Sequence, residues 1–427
     1  MLLWPLAVSA ATVNEHAVGV GFGTSPLFVY SVSSAGSLGL HDQTTQTTGG
    51  ELVRVDPAGR YAATIRGPDD LNVWRILPDR TLAMAASVEG GETVNPRQSL
   101  AISQNARLVL TKWGDTELPQ EDRFDFRTFG INNRLQPVPT GFTLQIPEIG
   151  DAIAWVISDK SSYTILVNLS NVVDQQVAVL RMSTDGELAD SGQRLQLPGL
   201  ANTSFDITPE GGLIVIGGSA GSSTGNPSLF MFEVDDQGDV LLHDYSSDDG
   251  GGTMDVAFRH GVPGLVTANF AHGASSVALD SDFSFAGLID SESVGFNVPE
   301  AMTITASGSF VLLDDQTAGG EFSVSSLALE FDGQLTPTGF ALTKNFKLAD
   351  LQAIPPLTPP TLLGDANLDG LVDAADLVFL INEALPDDKP ILLPQNFANA
   401  DMDGDIDVDQ DDFDQILELI LGVTSNL

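Results

Sequence analysis

The chain has 427 residues, with 58 acidic against 18 basic side chains, a net charge of −40 and no cysteine. Such a charge repels nucleic acid and anionic membrane surfaces, and the missing cysteine excludes disulfides, thiol catalysis and Cys-ligated zinc. A 42% hydrophobic content is that of a globular protein with a sizeable core, and no apolar run approaches the ~18 residues that a transmembrane helix needs.

In chain order, residues 1–11, Met1-Leu-Leu-Trp-Pro-Leu-Ala-Val-Ser-Ala-Ala11, read as a signal-peptide remnant. An apolar run precedes a small-residue site near Ala10, but the basic n-region of a secretory signal is missing. The competing reading is a buried first strand.

Residues 12–351 repeat two alternating elements. One is an apolar strand, a turn and a second strand, as in Val55-Asp-Pro57-Ala-Gly59-Arg-Tyr61, Ile102 to Leu108, Ile157 to Tyr163, Ile207 to Leu213 and Ile304 to Phe310, with a degenerate copy around Phe258. The other is an alternating strand, seen at Leu27 to Val32, Leu71 to Ile76, Phe126 to Ile131, Val177 to Met182, Leu229 to Val234, Val277 to Leu279 and Leu327 to Phe331. Anchors at 55, 102, 157, 207, 258 and 304 stand 46 to 55 residues apart. That period, with Gly/Asp/Asn turns, predicts propeller blades of four short strands, seven in number. An inner strand missing from the first blade is expected from Phe346 to Leu351, closing the ring.

The Val55-Asp-Pro-Ala-Gly-Arg-Tyr and Val73-Trp-Arg-Ile pattern resembles the lactonase-like propeller superfamily, typified by bacterial 6-phosphogluconolactonases. The resemblance is architectural, so it implies a fold and leaves the chemistry to the site. No Gly-x-Ser-x-Gly or His-x-x-His pattern occurs, and His16, His41, His243, His260 and His272 are scattered. The catalytic residues, if any, are therefore unassigned; Asp255, Arg259 and His260 are one candidate cluster at the channel mouth. Trp74, Trp113 and Trp155 read as blade core, with sugar stacking as the alternative. The glycines at 250–252 follow two aspartates, which would repel phosphate, and Gly19-Val-Gly21-Phe-Gly23 lacks the helix of a dinucleotide site.

Residues 352–363 form a Pro-rich linker predicted to hold the tail away from the ring. Then comes Asp365-Ala-Asn367-Leu-Asp369-Gly370-Leu371-Val-Asp373-Ala-Ala-Asp376, which places oxygens at loop positions 1, 3, 5, 9 and 12. Gly370 at position 6 permits a sharp turn, and the Leu371 carbonyl at position 7 completes a hard-oxygen set for Ca2+. A second acidic run starts 36 residues later, at Asp401. In one register its ligands are Asp401, Asp403, Asp405, Asp409 and Asp412 with the Asp407 carbonyl, but β-branched Ile406 then occupies position 6. In a register two residues earlier, Gly404 takes position 6 and Asn399, Asp401, Asp403 and Asp407 are ligands. Each loop leads into an apolar helix, through Leu377, Leu380, Ile381 and Ala384 and through Phe413, Ile416, Leu417 and Ile420. Neither loop shows an entering helix, and position 12 is Asp where an EF-hand expects Glu.

These paired loop-helix units resemble a type I dockerin, over residues 364–424. The resemblance implies two Ca2+ ions and a cohesin-bearing partner. It assigns partner contact to loop positions 10 and 11, here Ala374 and Ala375 in the first half and Gln410 and Asp411 in the second. The mismatch between halves speaks against binding in two equivalent orientations. The sequence thus predicts an all-β seven-bladed β-propeller followed by a small α-helical calcium-binding dockerin-like domain. As a function it predicts a secreted, extracellular or cell-surface platform, its channel open to a glycan or small-molecule ligand. The alternative is an extracellular hydrolase of lactones or polysaccharides carrying the same tail.

Overall fold

The computed structural model describes residues 14–421 except 22–25, 48–49, 67–69, 90–99, 104, 106, 115–123, 147–154, 159–163, 169–174, 199, 201–203, 209, 219–226, 248–252, 270–272, 294–300, 317–320 and 387–388. The signal-peptide reading of residues 1–11 lies outside these. Among the described residues, the strands form seven four-stranded antiparallel sheets. In chain order, blade one spans 50–89, blade two 100–145, blade three 155–197, blade four 204–246, blade five 253–292 and blade six 302–344. The remaining sheet, blade seven, joins Leu348–Ile354 to three strands within 15–47. Its closing strand pairs antiparallel with the start of the chain, Leu351 opposite Gly19 and Ile354 opposite His16. That strand continues to Ile354, three residues past the boundary that the sequence suggested. Closure pairs the inner edge of Glu15–Gly21, which would otherwise stay open.

The repeat anchors fall where an inner strand ends and the next begins: Val55 closes Gly50–Val55, and Tyr61 opens the following strand. Alternating segments such as Asp70–Ile76 become third strands, buried on both faces because each blade packs between two others. Apolar clusters sit between blades. One unites Val18, Leu27 and Val29 of blade seven with Val53, Trp74 and Ile76 of blade one. Trp74 is thus core, its indole N–H donating to Thr64 at 3.0 Å. The side chains of Trp113 and Trp155 lie outside the described residues.

Polar bonds add a second tie between blades. Thr128 of blade two donates to the Gly186 carbonyl of blade three at 2.7 Å, and Thr164 and Ser326 make the same kind of bond to Gly238 and Gly36. Nearer the axis, the Asp206 carboxylate accepts from Phe258 N–H at 2.6 Å, Asp255 from Met302 N–H at 3.1 Å, and Asp350 from Val53 N–H at 3.0 Å. Each inner strand so tied grips the next one.

The tail contains α1 (Ala374–Phe379), which runs on through a π-helical turn at Leu380–Ala384, then α2 (Pro394–Ala400) and α3 (Gln410–Leu421). α2 ends directly on Asp401, so the second loop does have an entering helix, contrary to the sequence reading. Seven residues with Pro at the first position and two Asn give little periodic signal. Nor does the linker hold the tail off the ring. The cluster between blades one and two, with Tyr61, Ile65, Leu100 and Ile131, continues into Leu380, Ile391, Phe397, Ile406 and Ile416 of the tail.

Candidate functional site

The first loop is held by its own carboxylates. Asp365 accepts from Asp369 N–H at 3.0 Å and Gly370 N–H at 2.9 Å; Asp376 accepts from Asn367 N–H at 3.1 Å and Asp373 N–H at 2.9 Å. The Asp373 side chain caps α1, and Asp376 returns the bond to complete a capping box. Leu368 and Gly370 have φ of 64° and 86°. Open space surrounds the position a Cβ would take on Gly370, so backbone conformation alone asks for glycine there.

The second loop repeats the pattern in the register that begins at Asp401. Asp401 accepts from Gly404 at 2.9 Å and Ile406 at 3.2 Å, and Asp412 accepts from Met402 at 2.6 Å and Asp409 at 2.9 Å. Bonds from position 5 to 3, 7 to 5 and 11 to 9 recur as well: Asp369 to Asn367 matches Asp405 to Asp403, Leu371 to Asp369 matches Asp407 to Asp405, and Ala375 to Asp373 matches Asp411 to Asp409. Positive φ again falls at positions 4 and 6, Gly404 at 75° and Ile406 at 66°.

The register placing Asn399 in the loop is not the one adopted. Asn399 is fully buried and ties the two halves together, accepting from Thr361 N–H and donating to the Asp365 carbonyl, both at 2.9 Å. A β-branched residue survives at position 6 because Ile406 is 5% exposed and packs with the core between blades one and two. Burying such a side chain contributes ~2–3 kcal/mol, enough to offset a left-handed backbone at ~1–2 kcal/mol.

Hard-oxygen donors converge in this loop. Carboxylate oxygens of Asp401, Asp403 and Asp405 lie within 4.8 Å of one another, as do those of Asp407, Asp409 and Asp412. Burial pushes Asp401 and Asp412 up to about 7, with the neighbouring aspartates adding to the effect. Burial also raises Asp403 and Asp407. Two such trios of carboxylates in one loop favour a divalent cation, and oxygen-only donors suit Ca2+.

Three propeller residues that the sequence did not single out receive the tail. Asn133 donates to the Ala384 carbonyl at 3.2 Å and accepts from Leu392 N–H at 2.7 Å, while its own carbonyl accepts from Val408 N–H at 3.0 Å. Arg60, paired with Asp56 at 2.7 Å, donates to the Leu392 carbonyl at 2.8 Å and lies 5.2 Å from the Phe397 ring centre. Arg75 reaches Asp405 and Asp407. The residues meant for a partner face elsewhere: Ala374, Ala375, Gln410 and Asp411 are all exposed.

The suggested cluster at 255–260 does not converge. Asp255 bonds Ser204 at 2.6 Å as well as Met302, Arg259 donates to the Glu330 and Phe331 carbonyls at 2.8 Å, and His260 is exposed. Burial raises Asp206 to about 7 and Asp255 to about 6, and both carboxylates are engaged between blades. Gly19 serves packing: a Cβ there would meet Tyr30, Leu348 and Leu351 at 3.1–3.2 Å. His16 and His41 stack edge to face at 4.7 Å, and His243 lies 3.4 Å from Ser284. His272 and the glycines at 250–252 lie outside the described residues. No helix among the described residues is long and apolar enough to cross a membrane.

Solved structures share the ring. A periplasmic gluconolactonase of Pseudomonas aeruginosa matches with a TM-score of 0.62 at 13% identity, over 80% of this chain and 99% of its own. A Bacteroides fragilis protein assigned provisionally as a 6-phosphogluconolactonase matches with 0.61 at 11%, over 82% and 100%, and a Lactobacillus plantarum protein with 0.61 at 16%, over 80% and 99%. At these identities the likeness shows the fold alone. A search of curated proteins finds no match. In the tail, residues 363–421 match the family model of the dockerin type I domain, and the chain is therefore a β-propeller similar to 6-phosphogluconolactonase-like propellers, carrying a dockerin type I domain at its C-terminal end.

Proposed function

We propose that this chain is a secreted, calcium-binding modular protein whose propeller is a platform attached through its dockerin-like tail to a cohesin-type surface partner. The observation that carries the reading is the duplicated loop, the same hydrogen bonds drawn twice around two sets of acidic residues. Asp365, Asn367, Asp369, Asp373 and Asp376 with the Leu371 carbonyl would hold one Ca2+. Asp401, Asp403, Asp405, Asp409 and Asp412 with the Asp407 carbonyl would hold a second. Bound calcium supplies the positive charge that lets these carboxylates stay together.

Ala374, Ala375, Gln410 and Asp411 are exposed, where a partner can reach them. On the ring, Asp206, Asp255 and Asp350 are engaged in bonds between blades. That supports a platform, open to a glycan or small-molecule ligand, over a lactone- or glycan-cleaving hydrolase. The test is capture of the full chain on a panel of immobilised type I cohesins, with calcium and with chelator. Retention with calcium and release by chelator is expected. Calcium uptake without capture by any cohesin would leave the tail as a structural cap and overturn the docking function.

A further inference from the structure

Arg75 stands near the end of Asp70–Ile76 in blade one, opposite Tyr61 and Ala83. Its guanidinium leaves the blade. One nitrogen donates to the Asp405 carbonyl at 2.8 Å and to Asp405 Oδ2 at 3.0 Å, and another donates to the Asp407 carboxylate. The Arg75 side chain is 19% exposed, so water screens these bonds only in part. Among the described residues no Lys or Arg pairs with Asp365, Asp369, Asp373 or Asp376 of the first loop. The two loops thus share an internal hydrogen-bond pattern, and one of them borrows a cation from another domain.

We propose that Arg75 is a built-in cation of the second loop, replacing part of the charge of calcium, so that this loop keeps its shape and its seat on the propeller when calcium is absent. The proposal rests on the calcium reading above. Without a positive charge, six carboxylates repel one another and open the loop. A guanidinium fork that bridges the carboxylates of positions 5 and 7 reduces that repulsion, and it does so through charge-assisted bonds of fixed geometry. Among the described residues the first loop has no such substitute, so its charge is left for calcium to balance. Arg75 is a positioning residue: it binds no ion but holds two members of the ligand loop against the blade. Loss of calcium would then loosen the half that bears Ala374 and Ala375 while the other half stays seated.

Two amides report the seat directly, because Ile391 N–H donates to the Ile131 carbonyl at 2.6 Å and Val408 N–H to the Asn133 carbonyl at 3.0 Å. Hydrogen exchange at these amides, in the full chain with calcium and with chelator, tests the proposal. Wild type is expected to protect both amides in either condition while Gly370 and Asp373 lose protection in chelator. Arg75→Gln should speed exchange at Ile391 and Val408 by about tenfold or more in chelator, with calcium restoring protection. Unchanged exchange in the variant, or equal loss with and without calcium, would overturn the proposal. Should Arg75→Gln not fold, Arg75→Met keeps the aliphatic stem, removes the same charge and carries the same arms. Arg75→Lys, with the charge but no fork, should fall between. Equilibrium dialysis separates the two readings: no calcium uptake by wild type sinks the calcium site itself, whereas uptake with unaltered exchange in the variant sinks only the role of Arg75.

Discussion

The first loop faces solvent, with Asp369, Gly370 and Leu371 all exposed, whereas the second presses Ile406, Asp407 and Val408 against the ring. Their internal bonds nearly coincide. A ligand loop therefore needs glycine at position 6 only when nothing else stabilises a left-handed backbone there. In the first loop nothing does, and in the second a buried isoleucine does.

The largest test of this contrast is Ile406→Gly. That change relieves the backbone strain and yet should destabilise the tail by ~2–3 kcal/mol, because an emptied core site costs more than a relaxed turn returns. The denaturation midpoint of the helical signal measures it, and a variant as stable as wild type would erase the distinction between the loops.

The pH comes next. Asp401 and Asp412 titrate near 7 in the folded, metal-free loop, against about 4 in an unfolded chain. The stability they contribute is therefore complete below about pH 4 and is lost as pH rises through about 7. Calcium requires the same groups deprotonated, so its affinity for the second loop should rise about tenfold or more from pH 6 to pH 8. Calorimetric titration at the two pH values reads this directly, with a flat response as the contrary result. Smallest is Gly370→Ala in the first loop, with a φ of 86° and open space around the new methyl. Its cost should be ~1 kcal/mol, from backbone alone, and calcium affinity at that site should fall about fivefold by the same titration.

The strands were legible because Val55, Ile102, Ile207 and Ile304 mark inner-strand ends at a nearly constant period. The first loop was legible because oxygens alternate with apolar residues around a glycine. The second was ambiguous, since only the tertiary burial of Ile406 decides its register. Nothing local could reveal that Asn133, Arg60 and Arg75 receive the tail. Their partners lie hundreds of residues away, and in sequence they read as ordinary turn and strand residues.

The closing of the ring has a consequence for synthesis. Ile354 must lie beside His16 before the seventh blade is complete, so the earliest part of the propeller to be made waits for the last. During translation, the strands at 15–47 offer an open edge to any neighbouring chain until residues 348–354 arrive. The tail follows within a few dozen residues, and its arrival completes the apolar cluster shared with blades one and two. A ribosome stalling just before residue 348 would therefore release a product prone to aggregation, and a chain that passes this point seals itself.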